Sequence, residues 1–203
     1  MVTLNESVEA LARQAYNQDK LRYHFQNWRA FPAQSQSQVY DMRIECQNKS
    51  VDGLIIVPRW ANILTDKTVD SYNRTQGSLY EVQYNIGSNL LDRHTCIDGA
   101  SQILFEVEKC LDASNSTNIT PPECSSVYGA APSPLVTGSK FCLGLHTATI
   151  DEDSTMGGYN GKGQLVASLK HSSSLANPIH YTSFVLHDVV CYSGASTGTQ
   201  FDS

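Results

Sequence analysis

The chain has 203 residues, 14 Lys and Arg against 20 Asp and Glu, and a formal net charge of -6. That length suits one large domain or two small ones, and the acidic balance lacks the basic footprint of a direct nucleic-acid binder. Charged residues are 17% and apolar residues 40%, a balance that folds rather than staying disordered, and no apolar run approaches a membrane span.

Residues 4–19 predict a helix: Leu4, Val8, Leu11 and Ala15 recur at helical spacing behind Asn5 as an N-cap. The apolar stripe is thin, so the helix is expected on a surface or against a partner, with Val8 and Leu11 as assembly contacts. An early Glu and no apolar core argue against a signal peptide here. RYHFQNWRAF, residues 22–31, reads as an edge strand or an extended arm ended by Pro32.

VYDMRIEC, residues 39–46, alternates cleanly, with Tyr40, Met42, Ile44 and Cys46 on one face. That period marks a sheet with one dry side. VDGLIIVP, residues 51–58, is a nearly continuous apolar strand stopped by Pro58, and a polar connection follows over 59–77. LYEVQYNI, residues 79–86, alternates again, with Tyr80, Val82, Tyr84 and Ile86 opposite Leu79, Glu81, Gln83 and Asn85.

A helix is predicted over 99–112, capped by Asp98, with Ala100, Ile103, Leu104, Val107 and Leu111 as its apolar stripe. A long Ser-, Asn- and Pro-rich loop follows over 112–137, and KFCLGLHTA, residues 140–148, resumes strand character. After the turn cluster GGYNGKG come QLVASLK, residues 164–170, and IHYTSFVLHDVVCY, residues 179–192. The last run is apolar on both faces: Tyr181, Val185 and Val189 on one, Phe184, Leu186, Val190 and Tyr192 on the other. Such a strand must be covered from both sides.

The tail after Tyr192 has too little apolar surface to order itself, so contacts with the body or a neighbour should hold it, with Phe201 as the anchor. The fold class is all-β: an antiparallel sandwich with one or two short helices. Tyr40, Met42, Ile44, Ile55, Val82, Tyr84, Ile86, Leu143, Leu165, Leu169, Phe184 and Leu186 are expected mostly in or beside its core.

No reaction centre assembles along the chain. Six cysteines are scattered without a C-x-x-C pair, which does not support a zinc site of the usual spacing. Cys46, Cys142 and Cys191 lie in strand-like runs and read as buried thiols, while a Cys110–Cys124 disulfide would close the loop between them. The sequons at Asn5, Asn48, Asn73, Asn115 and Asn118 read as chance in an Asn-, Ser- and Thr-rich chain.

DEDSTMGGYNGK, residues 151–162, has Met156 where an EF-hand needs glycine and Lys162 where it needs Glu. It reads as a solvated turn, with a loose cation site at Asp151, Glu152 and Asp153 as the minor alternative. His146, His171, His180 and His187 read as polar strand or loop residues, and adjacent His187 and Asp188 point to opposite faces. No catalytic residue, metal or cofactor is therefore expected, and the chain does not read as an enzyme.

Three stretches carry a family resemblance. They are VYDMRIECQNKSVDGLIIVPR, SLYEVQYNIGSNLLDRHTCIDGASQILFEVEKCL and GGYNGKGQLVASLKHSSSLANPIHYTSFVLHDVVCYSG. In that order they resemble the strands and short helix of one jelly roll in the major capsid proteins of the double-jelly-roll lineage of double-stranded DNA viruses, such as those of virophages, polinton-like viruses and adenovirus-like elements. Family members usually carry two rolls in tandem, and Leu91 and Asp92 stand where a proline is common.

The resemblance implies a jelly-roll domain over 38–194, an N-terminal helix and arm over 1–37, and a tail over 195–203. It implies a structural capsid protein of the virion, partnered by copies of itself in a trimer or larger symmetric shell and by other capsid proteins. The alternative is a carbohydrate-binding β-sandwich of a virion spike or lectin, although Trp28 and Trp60 lie near segment ends with no aromatic cluster around them. A metalloenzyme on the same fold would have only His146 and His187 as strand ligands.

Overall fold

The computed structural model of the chain describes residues 6–18, 20–46, 50–64, 74–95, 100–110, 141–147, 164–196 and 198–202. In chain order they form α1 (Glu6–Asn17), β1 (Leu21–Ser35), β2 (Val39–Ile44), β3 (Val51–Trp60), a 3-10 turn (Ala61–Leu64), β4 (Leu79–Ile86), β5 (Asn89–Thr95), α2 (Ala100–Cys110), β6 (Leu143–His146), β7 (Leu165–His171), β8 (Ile179–Gly194) and β9 (Gly198–Asp202). One sheet has the order β1-β8-β3-β6, with β9 also on β8, and the other has the order β2-β7-β4-β5. Every strand pair is antiparallel. The sandwich expected from the sequence is the one observed.

Alternating side chains of the two sheets meet in the core. Met42, Ile44, Val82, Tyr84, Leu165, Ala167 and Leu169 come from one sheet, and Leu54, Ile56, Leu143, Ile179, Tyr181 and Val185 from the other. Tyr40 stacks on Tyr181 across the gap, with ring centroids 5.8 Å apart. Fully burying a side chain of this size is worth about 1.5–3 kcal/mol, so the matched alternation in separate strands is what closes the two layers.

Both prolines expected to end strands lie inside them. β1 runs through Pro32 to Ser35, and β3 runs through Pro58 to Trp60. β1 is an edge strand, where a missing donor is tolerated. Pro58 sits past the reach of β6, which pairs only with Gly53–Ile56. The Pro58 carbonyl accepts the Thr75 N–H, not a β8 amide. The ring nitrogen points the same way as that carbonyl, so the ladder to β8 loses no hydrogen bond.

β4 also departs from simple alternation. Its register with β7 shifts between Leu79 and Glu81, which turns Leu79 inward and leaves Tyr80 only half-buried. A bulge adds one residue and reverses facing across it. The two-residue turn Gly87–Ser88 then returns the chain into β5, with Gly87 at φ 60.

α2 lies against the outer face of the first sheet. Val107 and Cys110 form a second apolar cluster with Ile55, Val57 and Cys142, and Phe184 of β8 packs against it. Here the doubly apolar character of β8 finds its second cover. Ile103 is buried in the main core, while the side chains of Leu104 and Leu111 lie outside those described.

A Cβ at Gly144 would stand 2.7 Å from the Val107 Cα and N, so the helix backbone rests directly on β6. Glu106 of α2 accepts the His146 N–H at 3.0 Å, which satisfies a strand donor with a helix carboxylate.

Cys46, Cys110, Cys142 and Cys191 are buried and outside any disulfide among the described residues. Burial pushes the Cys110 thiol up to about 12, and its hydrogen bond to the Leu54 carbonyl opposes that shift. Cys124, the five sequon asparagines and the 151–162 turn all lie outside the described residues. So do the caps Asn5 and Asp98.

Candidate assembly surface

β8 is longer than its inner neighbour. Its Ile179–His187 half lies between β1 and β3, and its Val190–Gly194 end lies between β1 and β9. The result is a three-stranded ribbon, β1–β8–β9, running on from the sandwich. The tail does order itself, against its own chain: the β8–β9 hairpin uses residues 198–202, with Gly198 at φ 68.

The ribbon carries apolar side chains into solvent. Tyr23, Cys191 and Phe201 share one cross-strand row, and Phe25 pairs with Val189 in the next. Tyr23, Phe25 and Phe201 are all exposed, Phe201 at 68%. Trp28, exposed and in register with Leu186, stands mid-strand and not at a segment end. Arg22 lies over the Tyr192 ring, and Arg29 over Phe31.

α1 adjoins this ribbon, joined by the Ala195 N–H donating to the Tyr16 carbonyl at 3.1 Å. Its Val8 and Leu11 are exposed at 47% and 65%. The three expected contact residues therefore all face solvent, Phe201 on the ribbon and Val8 and Leu11 on the helix beside it.

A buried polar cluster lies at the root of the ribbon, where β8 parts from β3. Asp52 occupies the irregularity between Val51 and Gly53, which pair with His187 and Leu186. A bulged residue is freed from strict alternation, and here it is aimed at Asp188.

The Ser50 hydroxyl donates to Asp188 Oδ2 at 2.6 Å and lies 3.5 Å from Asp52 Oδ1. From β1, Gln26 Nε2 donates to Asp52 Oδ2 at 3.1 Å, and His24 Nε2 lies 3.4 Å from Asp188 Oδ1. The Asp188 N–H donates to the Ser50 carbonyl at 3.2 Å. Asp52 and Asp188 are only 6% and 2% exposed.

Burial, the Asp188 charge and a hydrogen bond between the two carboxyl groups push Asp52 up to about 6, against the pull of Gln26 and Ser50. The sequence reading did not find this cluster. Its signal was an acid inside each of two apolar runs, VDGLIIVP and VLHDVVCY, since acids are almost never fully buried unless paired. His187 turns to the opposite face, as expected, and the imidazole beside Asp188 comes from His24 on the neighbouring strand.

No family model and no curated protein matches the sequence. Solved structures do. The chain is similar to the Faustovirus major capsid protein, with a TM-score of 0.58 and 11% identity over 94% of this chain and 36% of that one. Weaker similarity links it to the mavirus major capsid protein, at TM-score 0.44 and 11% identity over 90% of this chain and 41% of that one. The PBCV-1 virus capsid gives TM-score 0.49 and 8% identity, over 97% and 54%. At 11% identity the likeness to the Faustovirus protein shows the fold, a jelly-roll sandwich. The chain spans little more than a third of the Faustovirus protein's length.

Proposed function

We propose that this chain is a structural capsid subunit without enzymatic activity, a jelly roll that assembles with copies of itself, as a trimer or larger shell, and with other capsid proteins of a virion. The observation that carries the reading is the fold shared with the Faustovirus major capsid protein over 94% of the chain. We propose with it a division into a roll over 38–194, the helix and arm of 1–37, whose β1 pairs with β8, and the tail of 195–203.

The exposed apolar side chains support it. Val8, Leu11, Tyr23, Phe25, Trp28 and Phe201 all stand in solvent on the isolated subunit. Apolar surface gathered on neighbouring elements marks interaction sites. A 15-residue edge strand with Tyr23, Phe25 and Trp28 exposed is an exposed template for pairing that a free monomer would be expected to blunt. The carbohydrate-binding alternative gains no support from the structural neighbours.

The test is the assembly state of the purified chain, read by native mass spectrometry and electron microscopy across a concentration series. Symmetric oligomers or shells are expected, and Leu11→Asp with Phe201→Asp should dissociate them. A chain that stays monomeric throughout and binds glycans on an array would overturn the proposal.

A further inference from the structure

We propose that Asp52 and Asp188, bridged by Ser50 and held by His24 and Gln26, form a proton-operated latch that closes the β1–β8–β9 ribbon onto the sandwich in mild acid and releases it at neutral pH. The cluster stands where such a device has leverage. It joins three strands at the point where β8 exchanges β3 for β9 as its neighbour. Beyond it, among the described residues, β8 pairs with β9 in place of β3.

The chemistry is that of two buried acids sharing too few donors. Ser50 has one hydroxyl proton, and it goes to Asp188 at 2.6 Å. Gln26 gives one N–H to Asp52. A proton on either carboxyl turns their contact into a hydrogen bond and leaves one charge for Ser50 and His24 to hold. Without that proton, two like charges face each other out of water, where their repulsion is poorly screened. Separating β1 and β8 from the end of β3 would hydrate both acids.

Other groups on the surrounding elements have their own engagements. His187 of β8 faces the other way, with Nδ1 3.4 Å from the Asp188 carbonyl. On the β6 and α2 side, Thr147 donates its N–H to the Asp52 carbonyl, and Glu106 is held by the His146 N–H and Lys109. Asp202 of β9 stands in register with Val190, whose β1 partner is His24.

The sign follows from Asp52, whose raised carboxyl binds a proton more tightly in the closed state than in water. Its stabilisation is complete below the ordinary carboxylate range and is lost as pH rises through about 6. Whether or not the chain builds a capsid, the latch is a property of the single subunit. Under the capsid reading it would control presentation of Tyr23, Phe25 and Phe201.

Hydrogen exchange on the full chain, at a dilution where it is monomeric, tests the latch independently of assembly. With rates corrected for intrinsic exchange, amides at the β8–β3 junction, above all Asp188, whose N–H donates to the Ser50 carbonyl, should lose about tenfold in protection between pH 5 and pH 7.5. They should also exchange faster than amides of β4 and β7 at pH 7.5. In Asp52→Asn, which mimics the protonated acid, the change should shrink below twofold. Protection at that junction that is constant with pH, equal to that of β4 and β7, or equally pH-dependent in Asp52→Asn overturns the proposal. Should that variant misfold, carboxyl-carbon NMR of the parent decides: Asp52 titrating near 6 supports the latch, and Asp52 titrating in the ordinary carboxylate range overturns it.

Discussion

His171 Nε2 lies 2.8 Å from the Tyr181 hydroxyl, a hydrogen bond that crosses from β7 in one sheet to β8 in the other inside the core. Tyr181 also carries the stack with Tyr40 of β2, so one side chain ties both kinds of inter-sheet contact. Burial pushes its phenol upward and keeps it un-ionised. The other imidazole nitrogen, Nδ1, is buried without a hydrogen-bond partner among the described residues. An imidazolium there would leave a charged donor out of water, and burial accordingly lowers His171 to about 4.

This pair sets an acid limit on the fold. The unfolded imidazole takes up its proton at higher pH than the folded one, so the contribution is full above about 6.5 and is lost as pH falls to about 4. The loss amounts to about 3 kcal/mol at 1.36 kcal/mol per pKa unit. Asp52 acts in the opposite sense over much of the same range, so the two partly cancel in the parent. In an Asp52→Asn background, denaturant midpoints should fall steadily from pH 6.5 to 4. A midpoint independent of pH there would show that His171 is not held neutral.

Gly144 and Gly53 both lie under α2, and their substitution separates backbone contact from side-chain contact. A Cβ at Gly144 meets the Val107 backbone, whereas a Cβ at Gly53 meets the Cys110 Sγ at 3.1 Å. A thiol can turn aside, but a helix backbone must move as a unit. Gly144→Ala is expected to cost about 1–3 kcal/mol by overpacking and to speed exchange of the α2 amides. Gly53→Ala should cost less. Equal unfolding midpoints for the two variants would contradict the observed seat of α2 on β6.

Glu81 joins three strands by charge, accepting from Lys170 of β7 and Arg93 of β5. These two hydrogen bonds hold its carboxyl below the usual range against a smaller opposing effect of burial. The stabilisation is present above the ordinary glutamate value and lost as pH falls below it. Both cations are partly in solvent, so Glu81→Gln should cost only about 1 kcal/mol. Thermal unfolding at pH 7 in low and high salt checks this, with the difference between parent and variant shrinking as salt rises.

Phe201→Ser tests the assembly surface with little disturbance to the subunit. The side chain is mostly in solvent, so circular dichroism and unfolding should match the parent. If Phe201 is buried between subunits, losing about 1.5–3 kcal/mol should weaken association tenfold or more in sedimentation measurements. Unchanged association would remove Phe201 from the interface and leave Val8 and Leu11 as its candidates.

Much of this architecture was legible from alternation alone. The apolar period of VYDMRIEC and QLVASLK fixes which side chains face inward, because a strand has only two faces and one of these is dry. Tyr40 through Ile44 and Leu165 through Leu169 therefore fell where they were expected. The double-sided apolar character of β8 likewise announced a second cover, supplied by α2 over Phe184.

What alternation could not determine is anything that depends on a neighbour. Pro58 stays within a strand because β6 is too short to need its missing donor, a fact about pairing that no local pattern carries. Leu79 and Tyr80 exchanged roles because a bulge shifts the ladder, and Asp52 turns to Asp188 for the same reason. The joining of His24, Gln26, Ser50, Asp52 and Asp188 required three strands distant in sequence to share one register. Propensity and period are properties of a segment, whereas desolvation and hydrogen-bond partnership belong to the assembled sheet, so only the tertiary structure could turn two isolated acids into a coupled pair.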